Sequence, residues 1–87
     1  MPLPETFRAL SDPTRREILN LLKQRSLPAG EIAAHFHMTG ATVSHHLAAL
    51  KHAGLVCDRH EGKFIYYDLN LSVVEEVIGW LSELRNE

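Results

Sequence analysis

Eighty-seven residues, a net charge of −2 and one cysteine, Cys57, describe a single small domain. Folding at this size hides only about 60–65% of the surface an unfolded chain exposes, so a lone protomer is marginal. One cysteine excludes a disulfide staple and a metal staple would need a ligand cluster, which leaves oligomerisation as the remedy. The first residues are polar and proline-spaced, with no apolar run of the length a signal peptide or membrane span needs. The expected setting is therefore cytoplasmic, with no membrane partner.

The negative charge counts against a nucleic-acid partner until the chain is divided. Residues 1–34 carry five Arg and Lys against four Asp and Glu, and residues 35–67 carry three against two. Residues 68–87 carry only Arg85 against five carboxylates. The acidity sits in the tail. The middle holds all six histidines and can gain charge beside an anion.

Leu3, Phe7 and Leu10 recur at i, i+4 and i+7 and predict a short first helix with one sticky face. Asp12 can cap, and Pro13 suits a first helical position, so a second helix starts there. Its core face is Ile18, Leu19, Leu21 and Leu22. Arg15 and Arg16 on the solvated side are open to different readings, contact with phosphates, plain helix-surface charge, or a local pair with Asp12. Gln24 to Pro28 reads as a loop. A third helix is expected from about Ala29 to Phe36, with Ile32, Ala33 and Phe36 inward.

His37-Met38 leads to the segment on which the functional reading turns. Val43, Leu47 and Leu50 form one apolar stripe, with Thr39 as N-cap and Gly54 as the C′ residue of a fourth helix. Thr42, Ser44, His45 and Lys51 lie off that stripe as hydrogen-bond donors, and no carboxylate occurs anywhere along the helix. Such a face suits the floor of a DNA major groove, and the helix N-terminus favours a nearby phosphate. Two short helices joined by so tight a turn match helix-turn-helix geometry.

After Gly54 the period changes from 3.6 to 2. Leu55, Cys57 and Arg59 alternate with Val56, Asp58 and His60, Glu61-Gly62 supplies a turn, and Phe64 to Leu69 forms a second strand. A hairpin placed directly after a recognition helix is a wing, and Arg59, His60 and Lys63 at or near its tip could meet phosphates or a minor groove. The alternation places Cys57 on the side of Leu55, as a small buried residue rather than a redox switch. Asn70 or Ser72 caps a last helix. Its apolar residues form two adjacent stripes, Val73/Val77/Trp80/Leu84 and Val74/Ile78/Leu81, wider than one small core requires. The surplus predicts a partner subunit on Val73, Val77, Trp80, Leu81 and Leu84, joined by Leu3, Phe7 and Leu10 from the other terminus. The fold class is mainly α with a small β-hairpin, a winged helix-turn-helix in the order α-α-α-α-β-β-α. Residues 1–87 form one DNA-binding domain, with 1–10 and 71–86 as dimerisation helices.

Ala9-Leu-Ser-Asp-Pro-Thr-Arg-Arg-Glu-Ile-Leu19, Thr42-Val-Ser-His-His-Leu47, Leu50-Lys-His-Ala-Gly-Leu-Val56 and Gly62-Lys-Phe-Ile-Tyr-Tyr-Asp-Leu69 together resemble the ArsR/SmtB family of bacterial winged-helix repressors. The resemblance implies a homodimer joined through its first and last helices, with double-stranded operator DNA held by the fourth helix and the wing. Carried over by position, it implies that Thr42, Ser44 and His45 touch DNA while Thr39, Gly40 and Ala41 line the approach to its backbone.

Many relatives sense metals, and here the chain departs from the pattern. The segment Glu31-Ile-Ala-Ala-His-Phe36 has no thiolate, and no histidine lies beyond His60. Soft ligands at fixed spacing are what zinc or arsenite require, so no metal and no cofactor are expected. That leaves titration or sequestration by an unidentified protein partner as a route for relieving repression. No catalytic triad, paired carboxylate or phosphate-cradling glycine loop appears, which argues against an enzyme. A rival reading is an interaction module that holds another protein on the Thr42–Lys51 face.

Overall fold

Ser11 closes the first helix and Asp12 begins the second. The computed structural model describes residues 3–86, and at Leu3 the backbone alone. Helix α1 spans Leu3–Leu10 and α2 spans Pro13–Leu22. Between them Asp12 is extended, and its carboxylate accepts the backbone N–H groups of Thr14 (2.8 Å) and Arg15 (3.1 Å). Pro13 occupies the first turn, where a missing N–H costs nothing. The Arg15 amide holds the Asp12 carboxyl below the usual carboxylate range, helped by the Thr14 amide and the Arg15 guanidinium and opposed by partial desolvation.

Strand β1 is Leu27–Pro28, α3 is Ala29–Phe36, α4 is Gly40–His52, β2 is Val56–Glu61, β3 is Phe64–Leu69 and α5 is Leu71–Arg85. The sheet has three antiparallel strands in the order β1-β3-β2. The sequence predicts a loop over Gln24–Pro28 and two strands. In the structure Leu27 pairs with Tyr67 and Pro28 with Tyr66, so the hairpin has a short third strand along its base. Pro28 is tolerated because it lies on an edge strand.

The core gathers around α4. Val43, Leu47 and Leu50 are fully buried against Ile18 of α2 and Ile32 of α3. Gly54 takes φ +78°, and the N–H groups of Gly54 and Leu55 close the helix on the carbonyls of Lys51 and Leu50, both at 3.0 Å. This is the paired 5→2 and 6→1 ending, with apolar Leu50 and Leu55 in their expected places. Thr6, fully buried, donates its hydroxyl to the Ala53 carbonyl (3.0 Å) and seats α1 on the end of α4.

Two expectations of burial are corrected. Cys57 is exposed, its Sγ lying 3.9 Å from the Asp68 carbonyl oxygen. Leu55 belongs to the turn rather than the strand, so the alternation starts at buried Val56 and turns Cys57 outward. On α5, capped by Asn70 through the Ser72 N–H (3.2 Å), Val73 and Val77 are buried within their own protomer. They belong to the core of the protomer. Val73 in particular packs over Gly54, where an added Cβ would meet its Cγ2 at 2.8 Å. Leu10 likewise packs partly against the protomer core, and the expected role of the Leu3 side chain lies outside the described residues. Trp80, Leu81 and Leu84 are exposed, and Phe7 meets Trp80 edge-to-face at 5.7 Å between ring centroids. Among the described residues no helix is long and apolar enough to cross a membrane.

Candidate nucleic-acid interface

The turn between α3 and α4 is built by His37, Met38 and Thr39. His37 adopts the left-handed region (φ 56°), and α3 ends with the His37 N–H on the Ala34 carbonyl (3.3 Å) and the Met38 N–H on that of Ala33 (3.1 Å). Thr39 returns to extended backbone, and its Oγ1 accepts the Thr42 N–H at 3.1 Å. Its hydroxyl donates to Thr42 Oγ1 (3.0 Å), which leaves the Thr42 proton to be offered outward. The amides of Gly40 and Ala41 lie ahead of the first intrahelical bond, from Val43 to Thr39, and no acidic residue stands in the first turn. Free amides and the positive end of the dipole make this a place for a phosphate.

A helix turns about 100° per residue. Ala41 and His45 therefore point directly away from the Val43/Leu47/Leu50 stripe, with Thr42 and Ser44 on either side of them. All four are exposed, as are Thr39 and Gly40. The structure thus brings six of the expected residues together on one end of α4, with Ala41 and His45 at the centre of its outer face and the hydroxyls of Thr42 and Ser44 on the flanks.

His46, which the sequence reading did not single out, anchors that end. It is half-buried, and its Nδ1 accepts the Nε–H of Arg15 at 3.1 Å. This bond ties the rotation of α4 to α2 and requires the imidazole to carry its proton on Nε2. Arg15 meets Asp12 through its backbone amide, while its guanidinium turns to His46. Arg16 turns back to the Leu10 carbonyl (2.7 Å). No local sequence signal marks the Arg15–His46 pair, which lies 31 residues apart.

The remaining expected contacts are scattered along the wing and the far end of α4. Lys51 lies in the last turn of α4, roughly 10 Å along the helix from Ser44, and pairs with Asp58 of β2 at 3.0 Å. Arg59 is held by Glu61 and by Asp68 (3.1 Å to Oδ2), and its guanidinium stands 5.1 Å from the centroid of the Tyr66 ring. Ser26 also donates to Asp68, joining the approach to β1 to the wing. His60 and Lys63 are exposed at the tip. The turn itself is Gly62-Lys63 rather than Glu61-Gly62, because Glu61 pairs directly with Phe64. Gly62, at φ +60°, takes the first central position of a two-residue hairpin turn, where positive φ is needed.

Comparison with known proteins agrees with this geometry. The sequence pattern of the bacterial regulatory protein, arsR family, matches residues 12–57, from the cap of α2 into β2. The transcriptional repressor SdpR of Bacillus subtilis is 47% identical over 81 residues, covering 93% of this chain and 90% of that protein. An ArsR-like transcriptional regulator from Rhodococcus sp. RHA1 superposes with a TM-score of 0.89 at 30% identity, over 94% of this chain and 75% of the other. The homodimeric winged helix-turn-helix DNA-binding domain of a possible ArsR-family regulator from Mycobacterium bovis superposes with a TM-score of 0.79 at 31% identity, over 95% and 77%. A helix-turn-helix seated by Asp12, capped at Thr39 and Gly54 and followed by a wing, with the family pattern running through its centre, makes this chain a member of the ArsR family of bacterial regulatory proteins.

Proposed function

We propose that the chain is a homodimeric transcriptional repressor that occupies a palindromic operator, that of its own promoter included, and does so without sensing metal. The reading is carried by the N-terminal end of α4, where exposed Thr42, Ser44 and His45 offer donors on a helix free of carboxylates. That combination of short polar side chains, positive dipole end and absent negative charge suits major-groove recognition. Phe7, Trp80, Leu81 and Leu84 supply an exposed apolar face for the second protomer. A two-fold pair would present two α4 helices to half-sites about one helical turn apart. Within one chain, no group of three His, Cys, Asp or Glu side chains among the described residues is placed to hold a metal ion. Glu31 and His35 on α3 form no such group, and the residues present do not fit the soft-ligand sites of metal-sensing relatives.

Footprinting on the gene's own upstream region tests the proposal, with gel shifts at two salt concentrations. A protected inverted repeat is the expected result, and no sequence-selective shift at low salt would overturn it in favour of a protein-binding module. Ser44→Ala and His45→Ala should narrow the gap between operator and random DNA, because they remove base readout. Lys63→Ala should weaken both alike and flatten the salt dependence.

A further inference from the structure

The base of the hairpin is held by the protomer, but its tip is not. Strand β1 reaches only Tyr66 and Tyr67 of β3. Beyond them the His60–Ile65 and Glu61–Phe64 pairs and the Gly62-Lys63 turn stand as a bare two-stranded ribbon. At about 3.4 Å per residue this overhang projects roughly 7–10 Å. A ribbon end in water is ordinarily polar, yet Phe64 is 50% exposed and Ile65 is 37% exposed.

Cross-strand partners share a face of the sheet. Phe64 therefore lies on the face of Glu61, Arg59 and Tyr66, and Ile65 on the opposite face with His60. The tip is apolar on both sides. An apolar patch for lying on a flat protein surface needs only one side, whereas a wedge pushed between two layers needs both. The charges nearby fit a polyanion: Lys63 Nζ stands 6.0 Å from the Phe64 ring centroid, and exposed His60 flanks Ile65. Glu61, the one carboxylate at the tip, is turned onto Arg59. Phe64 is backed edge-on by Tyr66 at 6.4 Å, so its ring is braced before any partner arrives.

Building on the proposed DNA-binding role, we infer that Phe64 and Ile65 form an apolar wedge that enters the operator's minor groove and partly unstacks one base step, while Lys63 grips the adjoining phosphate. The undistorted minor groove, about 6 Å wide and 7.5 Å deep, is narrower than the ribbon, so only the side chains at the turn reach the bases, and the groove opens as the step unstacks. Apolar side chains inserted between steps kink a duplex, and flexible pyrimidine–purine steps yield most readily. Part of the operator preference then comes from DNA deformability at positions that no polar side chain reads.

The test uses a duplex selected from a random pool by the wild-type chain, labelled at both ends for energy transfer and scanned with 2-aminopurine one position at a time. Wild type should shorten the end-to-end distance and brighten 2-aminopurine at one step in each half-site. Phe64→Ala should bind about tenfold or more weakly, with both signals lost and the salt slope unchanged. Phe64→Leu should keep most of each signal. Lys63→Ala should keep both and reduce the salt slope by about 1. Unfolding curves of the variants should match wild type, since the substituted side chains are exposed. If Phe64→Ala bends and unstacks the duplex as wild type does, the wedge is overturned while the DNA-binding proposal stands. If wild type selects no duplex at all, both fall together.

Discussion

Helices α4 and α5 are similar in length and apolar content, yet the protomer finishes only one of them. In α4 the whole stripe of Val43, Leu47 and Leu50 is at most 1% exposed, and both ends are closed by Thr39 and Gly54. In α5 only Val73 and Val77 are buried, near its start, while Ile78, Trp80, Leu81 and Leu84 are 41–67% exposed. The 49 Å long axis of so small a chain reflects what overhangs rather than what packs. The reading helix is thus fixed by its own subunit before any partner arrives. The last helix has its packing only half supplied, and a helix of this length is not stable on propensity alone. Recognition geometry and assembly are consequently separable, and substitutions should divide along that line.

The largest effect expected is at Leu47. Leu47→Ala opens a cavity beneath the recognition helix and should cost about 2–5 kcal/mol, read as a drop in the chemical-denaturation midpoint at every protein concentration. Trp80→Ala should act on the other side of the division. Losing an aromatic anchor is worth about 2 kcal/mol or more of association, seen by sedimentation as at least a tenfold rise in dimer dissociation. The separated chains should keep their wing and α4 intact. If Trp80→Ala unfolded the protomer without passing through a folded monomer, the separation of the two helices would be wrong.

Gly54→Ala strikes where the two helices meet. A Cβ there must accept φ +78° and approach Val73 Cγ2 at 2.8 Å. The left-handed conformation alone costs about 1–2 kcal/mol, and displacement of Val73 adds to it. Both thermal stability and dimerisation should fall, unlike the result at either Leu47 or Trp80 alone. Asp12→Asn should be milder, about 0.3–1 kcal/mol, because asparagine keeps the cap and loses only the negative charge at the helix end, and it should depend on pH. Because the folded carboxyl is held below its unfolded value, its contribution is present in full above the unfolded pKa near 4. It is lost as the pH falls through the lower folded value. The gap between wild type and Asp12→Asn should therefore be constant from pH 7 to about 5 and close as the solution is acidified below about 4.

What could be read from the sequence follows the same division between local and distant causes. Thr39 and Gly54 mark the ends of α4 because caps act within a few residues. The Val43/Leu47/Leu50 stripe is legible because a single stripe has only one place to go. The double stripe of α5 is different, since periodicity shows that both rows are apolar but not which row the protomer claims. Val73 and Val77 were misassigned to the partner for that reason. Strand β1 has two residues, one of them proline, and two residues carry no period. Cys57 was misplaced because alternation has only two phases, and Leu55, in the turn, set the wrong one. At the site, the residues of the first turn of α4 were legible from type and position. The ties that hold Arg59 on Asp68, and Arg15 on His46, join side chains that only the fold brings together.

The smallest change concerns His37, the residue that joins the two helices of the motif. A non-glycine residue at φ 56° carries a steric cost of about 1–2 kcal/mol, part of which glycine returns as greater freedom of the unfolded chain. His37→Gly should therefore raise stability by about 0.5–1 kcal/mol. The backbone bonds to Ala33 and Ala34 need no imidazole, so α4 should keep its orientation and operator affinity should stay within twofold. A gain in melting temperature with unchanged affinity would show that the turn is a structural joint, as the closed packing of α4 implies. A gain in stability with a tenfold loss of binding would instead place the His37 imidazole on the DNA, and the boundary between scaffold and reading surface would move two residues beyond Thr39.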